Sequence, residues 1–157
     1  MKQSMKFFRQ VCVLLALAGL SACGGPDKGT LKAEIEETRT SISDELTALN
    51  TVKMERQSEL DGLKEDVKWE YSKELETLVK QYESEFSQLK ENMSELVEIE
   101  GSLGGYEEKL GGMPLEYSAR LTEEMFKEKA ERAEELISNN EAIEEKMSDL
   151  SDQIDRI

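Results

Sequence analysis

The chain has 157 residues, with 35 acids against 20 Lys and Arg, a net charge of −15, no histidine and two cysteines. That balance argues against a nucleic-acid binder, which needs basic clusters to meet phosphate, and against a domain lying flat on anionic lipid. Aromatics are 6% of the chain, so it reads as long helix or coiled coil if its apolar residues recur periodically, and as disorder if they do not.

The first ten residues carry Lys2, Lys6 and Arg9 and no acid, and residues 11–20, VCVLLALAGL, are apolar apart from one glycine. A basic start, a short apolar run and then small residues form a secretory signal. The run is too short to cross a bilayer, which takes about 20 residues. It ends in Leu20-Ser21-Ala22-Cys23, which resembles the lipobox of bacterial lipoproteins at every position. The resemblance covers residues 1–23. It implies cleavage between Ala22 and Cys23, a diacylglyceryl group on the Cys23 sulfur and an acyl chain on the new amino terminus. One acyl chain anchors only marginally and two signals anchor stably, so the implied partner of Cys23 is a membrane. Gly24 stands where an Asp resembles an inner-membrane retention signal in proteobacterial lipoproteins. This favours the outer membrane, with the chain facing the periplasm. Cleavage removes residues 1–22, including Cys12 and three bases, leaving 17 bases against 35 acids and a net charge of −18. With Cys23 acylated, no disulfide is expected.

Residues 23–30 read as the lipidated cysteine and a flexible tether, with Gly24, Gly25, Pro26 and Gly29 opposing helix and Thr30 as N-cap. Residues 31–100 contain no proline and one glycine, and their apolar residues recur every three or four positions. Ile35, Ile42, Leu46, Leu49, Leu60, Leu63 and Val67 share one register, interrupted by Arg39, Lys53 and Arg56. Leu75, Val79, Tyr82, Phe86, Leu89, Met93 and Leu96 share a second. Four-residue steps from Leu63 to Val79 depart from the 3.5 repeat. The expectation is one long helix, about 105 Å at 1.5 Å per residue, with a register discontinuity near Trp69-Glu70-Tyr71.

Residues 101–113, GSLGGYEEKLGGM, read as a glycine-rich turn or hinge, with Gly101 ending the helix in the left-handed conformation. They lack the Gly-Lys-Ser/Thr and the preceding strand of a phosphate-binding loop. Pro114 suits the first turn of a second helix over 114–157. Ala119, Phe126, Ala133, Asn140, Met147 and Ile154 are spaced by seven, with Leu136, Ile143, Leu150 and Ile157 between them. Asn140 in that seam is a candidate for fixing register and oligomer state.

Amphipathic helices need their apolar stripes covered. The fold class is therefore all-α. One arrangement is an antiparallel helical hairpin or coiled coil turning at 101–113, with self-association. The other is a parallel oligomer with the glycines as a joint.

Catalysis draws on histidine, an activated nucleophile or a metal site. The chain has no histidine, and its acid pairs (Glu36-Glu37, Glu107-Glu108, Glu123-Glu124 and Glu144-Glu145) fit solvated helix faces. Asp149, Asp152 and Asp155 lack the spacing and glycine of a calcium loop. No enzyme activity, cofactor, metal or small-molecule substrate is expected. Glu95, Glu98 and Glu100 would crowd a helix end that disfavours anions, and so could attract a cationic partner. Trp69, off the apolar stripe, and Tyr106, in the glycine segment, are candidate partner contacts.

Together these features point to a lipid-anchored coiled-coil spacer or scaffold of the cell envelope, meeting its own kind or a helical protein partner. The chain resembles Braun's lipoprotein in its lipobox, tether and heptads. It lacks that protein's terminal lysine, ending Asp155-Arg156-Ile157, so covalent attachment to the wall is not expected. The alternative is a periplasmic holdase gripping clients with helical arms.

Overall fold

The computed structural model describes residues 27–69, 72–112 and 116–157, so Ala22, Cys23, Tyr71 and Pro114 lie outside the described residues. Among the described residues there are three helices, in order α1 over Lys28–Trp69, α2 over Lys73–Gly112 and α3 over Glu116–Ile154. Cross-helix pairs fix their directions. Arg39 meets Glu100 and Lys64 meets Glu83, so α2 runs antiparallel to α1. Arg132 meets Glu95 and Lys146 meets Glu85, so α3 runs antiparallel to α2. α1 and α3 are therefore parallel, and Ser151 near the end of α3 reaches Glu59 on α1. The result is an up-down-up antiparallel bundle, in which α2 packs closely on both neighbours and α1 and α3 touch more sparsely.

The all-α antiparallel packing is as expected, but its boundaries differ from the sequence reading at three points. The first is the start of α1. Asp27, rather than Thr30, is the N-cap: its carboxylate accepts from the Thr30 amide at 3.2 Å and the Thr30 hydroxyl at 3.0 Å. The same bonds hold Asp27 below the usual carboxylate range. Helix therefore begins at Lys28, and the last residues of the expected tether are already wound.

The second is the register discontinuity, where the chain ends its first helix at Trp69. Ser72 caps α2, its hydroxyl accepting from the Leu75 amide at 3.4 Å and its carbonyl from the Glu76 amide at 3.0 Å. Lys68 lies in the last turn of α1, and Glu74 and Glu76 in the first turn of α2. Each sign suits the helix terminus it occupies. The two registers face one another instead of stacking into one long rod.

The third is the glycine segment. Residues 101–112 are α-helical and close α2, so no turn or hinge lies within them. The physical reason is the seam: Leu75, Tyr82, Leu89, Leu96, Leu103 and Leu110 are spaced by seven and all are buried. Gly101 and Gly105 sit where an added methyl would meet open space. Burial of Leu103, Tyr106 and Leu110 outweighs a glycine penalty of about 1 kcal/mol per site.

The core is a single stripe along all three helices. α1 supplies Leu31, Ile35, Ile42, Leu49, Leu60 and Leu63, and α2 adds Val79, Phe86, Met93 and Ile99 to its leucines. The α2 steps alternate four and three, except at Met93–Leu96–Ile99, where two threes adjoin. Such a three-residue insertion overwinds the supercoil locally. On α3 the expected seam holds: Phe126, Ala133, Leu136, Asn140, Ile143, Met147 and Ile154 are buried. Ile157, just past the helix, is exposed instead. No helix among the described residues is long and apolar enough to cross a membrane.

Candidate functional site

α1 is 42 residues long, so Trp69 stands about 60 Å from Lys28 at 1.5 Å per residue. Trp69 is 82% exposed, the most exposed large apolar side chain among those described. One turn before it, Lys68 Nζ donates to Glu65 Oε1 at 2.7 Å, and this bond keeps the exposed Glu65 carboxyl below the usual carboxylate range. At the same end, where α2 begins, a shallow cleft is lined by Lys73, Glu74, Thr77 and Leu78. α3 ends there too, with Ile157 59% exposed. An aromatic ring and nearby aliphatic surface, ringed by charges of both signs, suit protein contact rather than chemistry.

Tyr106 is not part of this surface. It is buried in the α2 seam, near the opposite end of the bundle, because the segment carrying it is helix and its position is a core position.

Asn140 is buried at 1% exposure, and its partner is in the same chain: Asn92 Nδ2 on α2 donates to Asn140 Oδ1 at 2.8 Å. The Asn140 Nδ2 is buried without a partner. The residue thus links α2 to α3 within one chain, where the sequence alone suggested a second copy facing it.

The cationic partners expected near Glu95 and Glu100 are likewise internal, because α2 continues past them. Arg132 donates to both oxygens of Glu95 at 2.7 and 2.9 Å. Arg39 donates to Glu100 at 2.8 Å and lies 3.7 Å from Glu107, with its guanidinium over Gly104. A second cleft, between α2 and α3, is lined by Gln81, Glu85, Lys146, Asp149, Leu150 and Gln153. Among the described residues no group of three His, Cys, Asp or Glu is arranged to hold a metal ion.

One cluster escapes sequence reasoning. Glu59 on α1 accepts from all three helices: Arg56 Nη1 at 2.8 Å and Tyr82 Oη at 2.5 Å on one oxygen, and Ser151 Oγ on the other. Burial pushes the carboxyl up, but these donors outweigh it and hold Glu59 below its ordinary range. Burial and the Glu59 charge drive Tyr82 far above its ordinary range, so it remains a donor. The available signal was Arg56-x-x-Glu59 interrupting an apolar stripe, with Tyr82 at a core position of the second stripe.

Compared with protein-family models, curated proteins and solved structures, the chain matches none.

Proposed function

We propose that the chain is a lipid-anchored, non-catalytic coiled-coil spacer or adaptor of the bacterial cell envelope, held to the outer membrane through Cys23 and facing the periplasm. One observation carries the reading. A helical bundle begins five residues after Cys23 and presents an exposed Trp69 at its far end. Anchored at one end, such a bundle holds its contact surface about 60 Å from the bilayer. The absence of charge complementarity to lipid in a chain of net charge −18 after cleavage favours projection over lying flat.

A photo-crosslinking residue placed at position 69 tests this in native membranes. The expected result is capture of one defined protein by the full chain, lost when Cys23→Ser releases it from the membrane. Capture of nothing, or of the same protein after release from the membrane, would remove the anchored-adaptor reading. Met54, Val97, Leu121 and Met125 are also exposed, Leu121 and Met125 one turn apart on α3.

A further inference from the structure

The buried asparagine pair raises a physical question that is independent of anchoring. Asn140 is 1% exposed, makes one hydrogen bond through its oxygen and leaves its Nδ2 unpaired. A buried amide group without a partner is costly, and leucine would serve an apolar seam better. The retained cost points to specificity.

The specificity needed is alignment. Both α2 and α3 repeat every seven residues, with Leu75, Tyr82, Leu89, Leu96, Leu103 and Leu110 on one and Phe126, Ala133, Asn140, Met147 and Ile154 on the other. Sliding α3 by one heptad would keep most apolar residues against apolar residues, at the cost of the Ser151–Glu59 bond to α1 and of passing the paired three-residue steps at Met93–Leu96–Ile99. A short connection between rigid helix ends would forbid the slide, but α2 ends in Gly111-Gly112, and glycine at a helix end unwinds cheaply. The end of α2 therefore yields readily and does not by itself fix the alignment.

Among the polar pairs that join α2 to α3 are Glu95 with Arg132, Asn92 with Asn140, and Glu85 with Lys146. After a one-heptad slide Glu95 would face Met125 or Asn139, and Glu85 would face Asn139 or Gln153. The loss at Glu95 is small, because its pair with Arg132 is largely solvent-exposed, and at Glu85 it is limited to a loose 3.6 Å contact, since its buried Oε2 has no hydrogen-bond partner in the native register. Asn92 would face Ala133 or Met147, and Asn140 would face Ile99 or Glu85. That loss is large, because in either slide the buried Asn140 oxygen loses its only donor; against Ile99 the nitrogen is unpaired as well, whereas against Glu85 the carboxylate can accept from it. By contrast, Arg39 on α1 lies between Glu100 and Glu107, one heptad apart, so its ion pairs discriminate little between alignments of α1 and α2.

We propose that the Asn92–Asn140 pair is an alignment key. It confines α3 to a single register on α2 against the yielding glycine end.

Spin labels at the exposed positions Gln88 and Glu145 read the alignment by their separation, in the full chain with Cys12→Ser and Cys23→Ser removing competing thiols. The parent should give one distance. Asn92→Leu with Asn140→Leu should raise the thermal midpoint and add a second population, displaced along the axis by about 10 Å, one heptad of rise. Adding Gly111→Ala and Gly112→Ala should collapse that population again. A single unchanged distance in the leucine variant overturns the proposal. So does a lowered midpoint with a single distance, which would make the pair an ordinary stabilising contact. If the leucine variant does not fold, Asn140→Ala is measured with the same labels, and a single distance there overturns it equally.

Discussion

Glu59 shows how a polar residue can hold a bundle together from within a stripe that is otherwise apolar. Its carboxylate is the only acceptor described that takes hydrogen bonds from all three helices, through Arg56, Tyr82 and Ser151. Glu59→Gln removes the charge that makes these bonds strong, and should cost about 1–3 kcal/mol in urea denaturation at neutral pH. The pH dependence comes from the direction of the shift. The folded-state pKa of Glu59 is depressed below its ordinary 4.5, so its contribution is fully present above that value and is lost as pH falls through the folded pKa. Glu45 and Glu144 act in the opposite sense. Burial raises both, with repulsion from Glu141 added to Glu45 and from Glu45, Glu141 and Glu55 to Glu144, while Arg56 partly offsets the latter. They oppose folding when charged, and that opposition disappears as the pH falls through their raised folded-state pKa values. Glu45→Gln with Glu144→Gln should therefore raise the thermal midpoint at neutral pH, with the gain shrinking as the pH falls through the raised folded-state values. A midpoint that falls at neutral pH would show these two carboxylates to be paired in the folded chain.

At the scale of the helices, the glycine segment makes the sharpest test. If residues 101–112 are wound as described, Gly101→Ala and Gly105→Ala should each stabilise by about 0.5–1 kcal/mol, because both sites open onto free space and alanine favours helix. Leu103→Ala should cost about 2–5 kcal/mol, the range for truncating a buried leucine. A hinge would give the reverse: alanine at a left-handed Gly101 would destabilise, and Leu103 would matter little. Denaturation midpoints of the three variants decide between them. This segment also shows what could be read from the sequence. The all-α class, the α3 seam and the change of register at Trp69 are legible in periodicity, because apolar spacing reports directly on which face is buried, but the spacing there reads as a discontinuity within one long helix and not as the helix end that it is. The winding of residues 101–112 is obscured when glycine is weighed before spacing. The repeated Leu-Gly-Gly at Leu103 and Leu110 is itself one heptad, in phase with Leu89 and Leu96. Trp69 is legible as an exposed residue, since it falls off the stripe. Tyr106 is misplaced by the same error that makes its segment a turn. Glu59 and the Asn92 half of the asparagine pair depend on which helix faces which, and helical periodicity carries no information about that pairing.

At the scale of the whole molecule, folding into three helices shortens the reach that the sequence first implies. One unbroken helix from 31 to 100 would project about 105 Å, whereas a bundle of helices of 42, 40 and 39 residues is about 60 Å long at 1.5 Å per residue. Small-angle scattering of the full chain with Cys23→Ser should give a longest dimension for the described bundle close to the shorter value, and one near 105 Å would show the helices stacked end to end. The bundle is stiffer than a single helix of equal length because each helix is braced by its neighbours along a common core. A stiff body fixes the height of whatever it carries, which gives the position of Trp69 its meaning. Trp69 is the only tryptophan in the chain, so its fluorescence reports on that end of the bundle alone. Free in solution, the ring at 82% exposure should emit as a solvated indole and be quenched fully by a small neutral quencher. Trp69→Ala should leave the denaturation midpoint within about 0.5 kcal/mol of the parent, as for surface changes away from structural features. If the far end is a protein contact, the same substitution should weaken partner binding by about 2 kcal/mol or more, the loss typical when a central aromatic is removed from an interface. Stability unchanged with binding lost identifies Trp69 as a contact residue. Stability lost with it would instead make Trp69 part of the fold, and binding unchanged would move the contact to another face of the bundle.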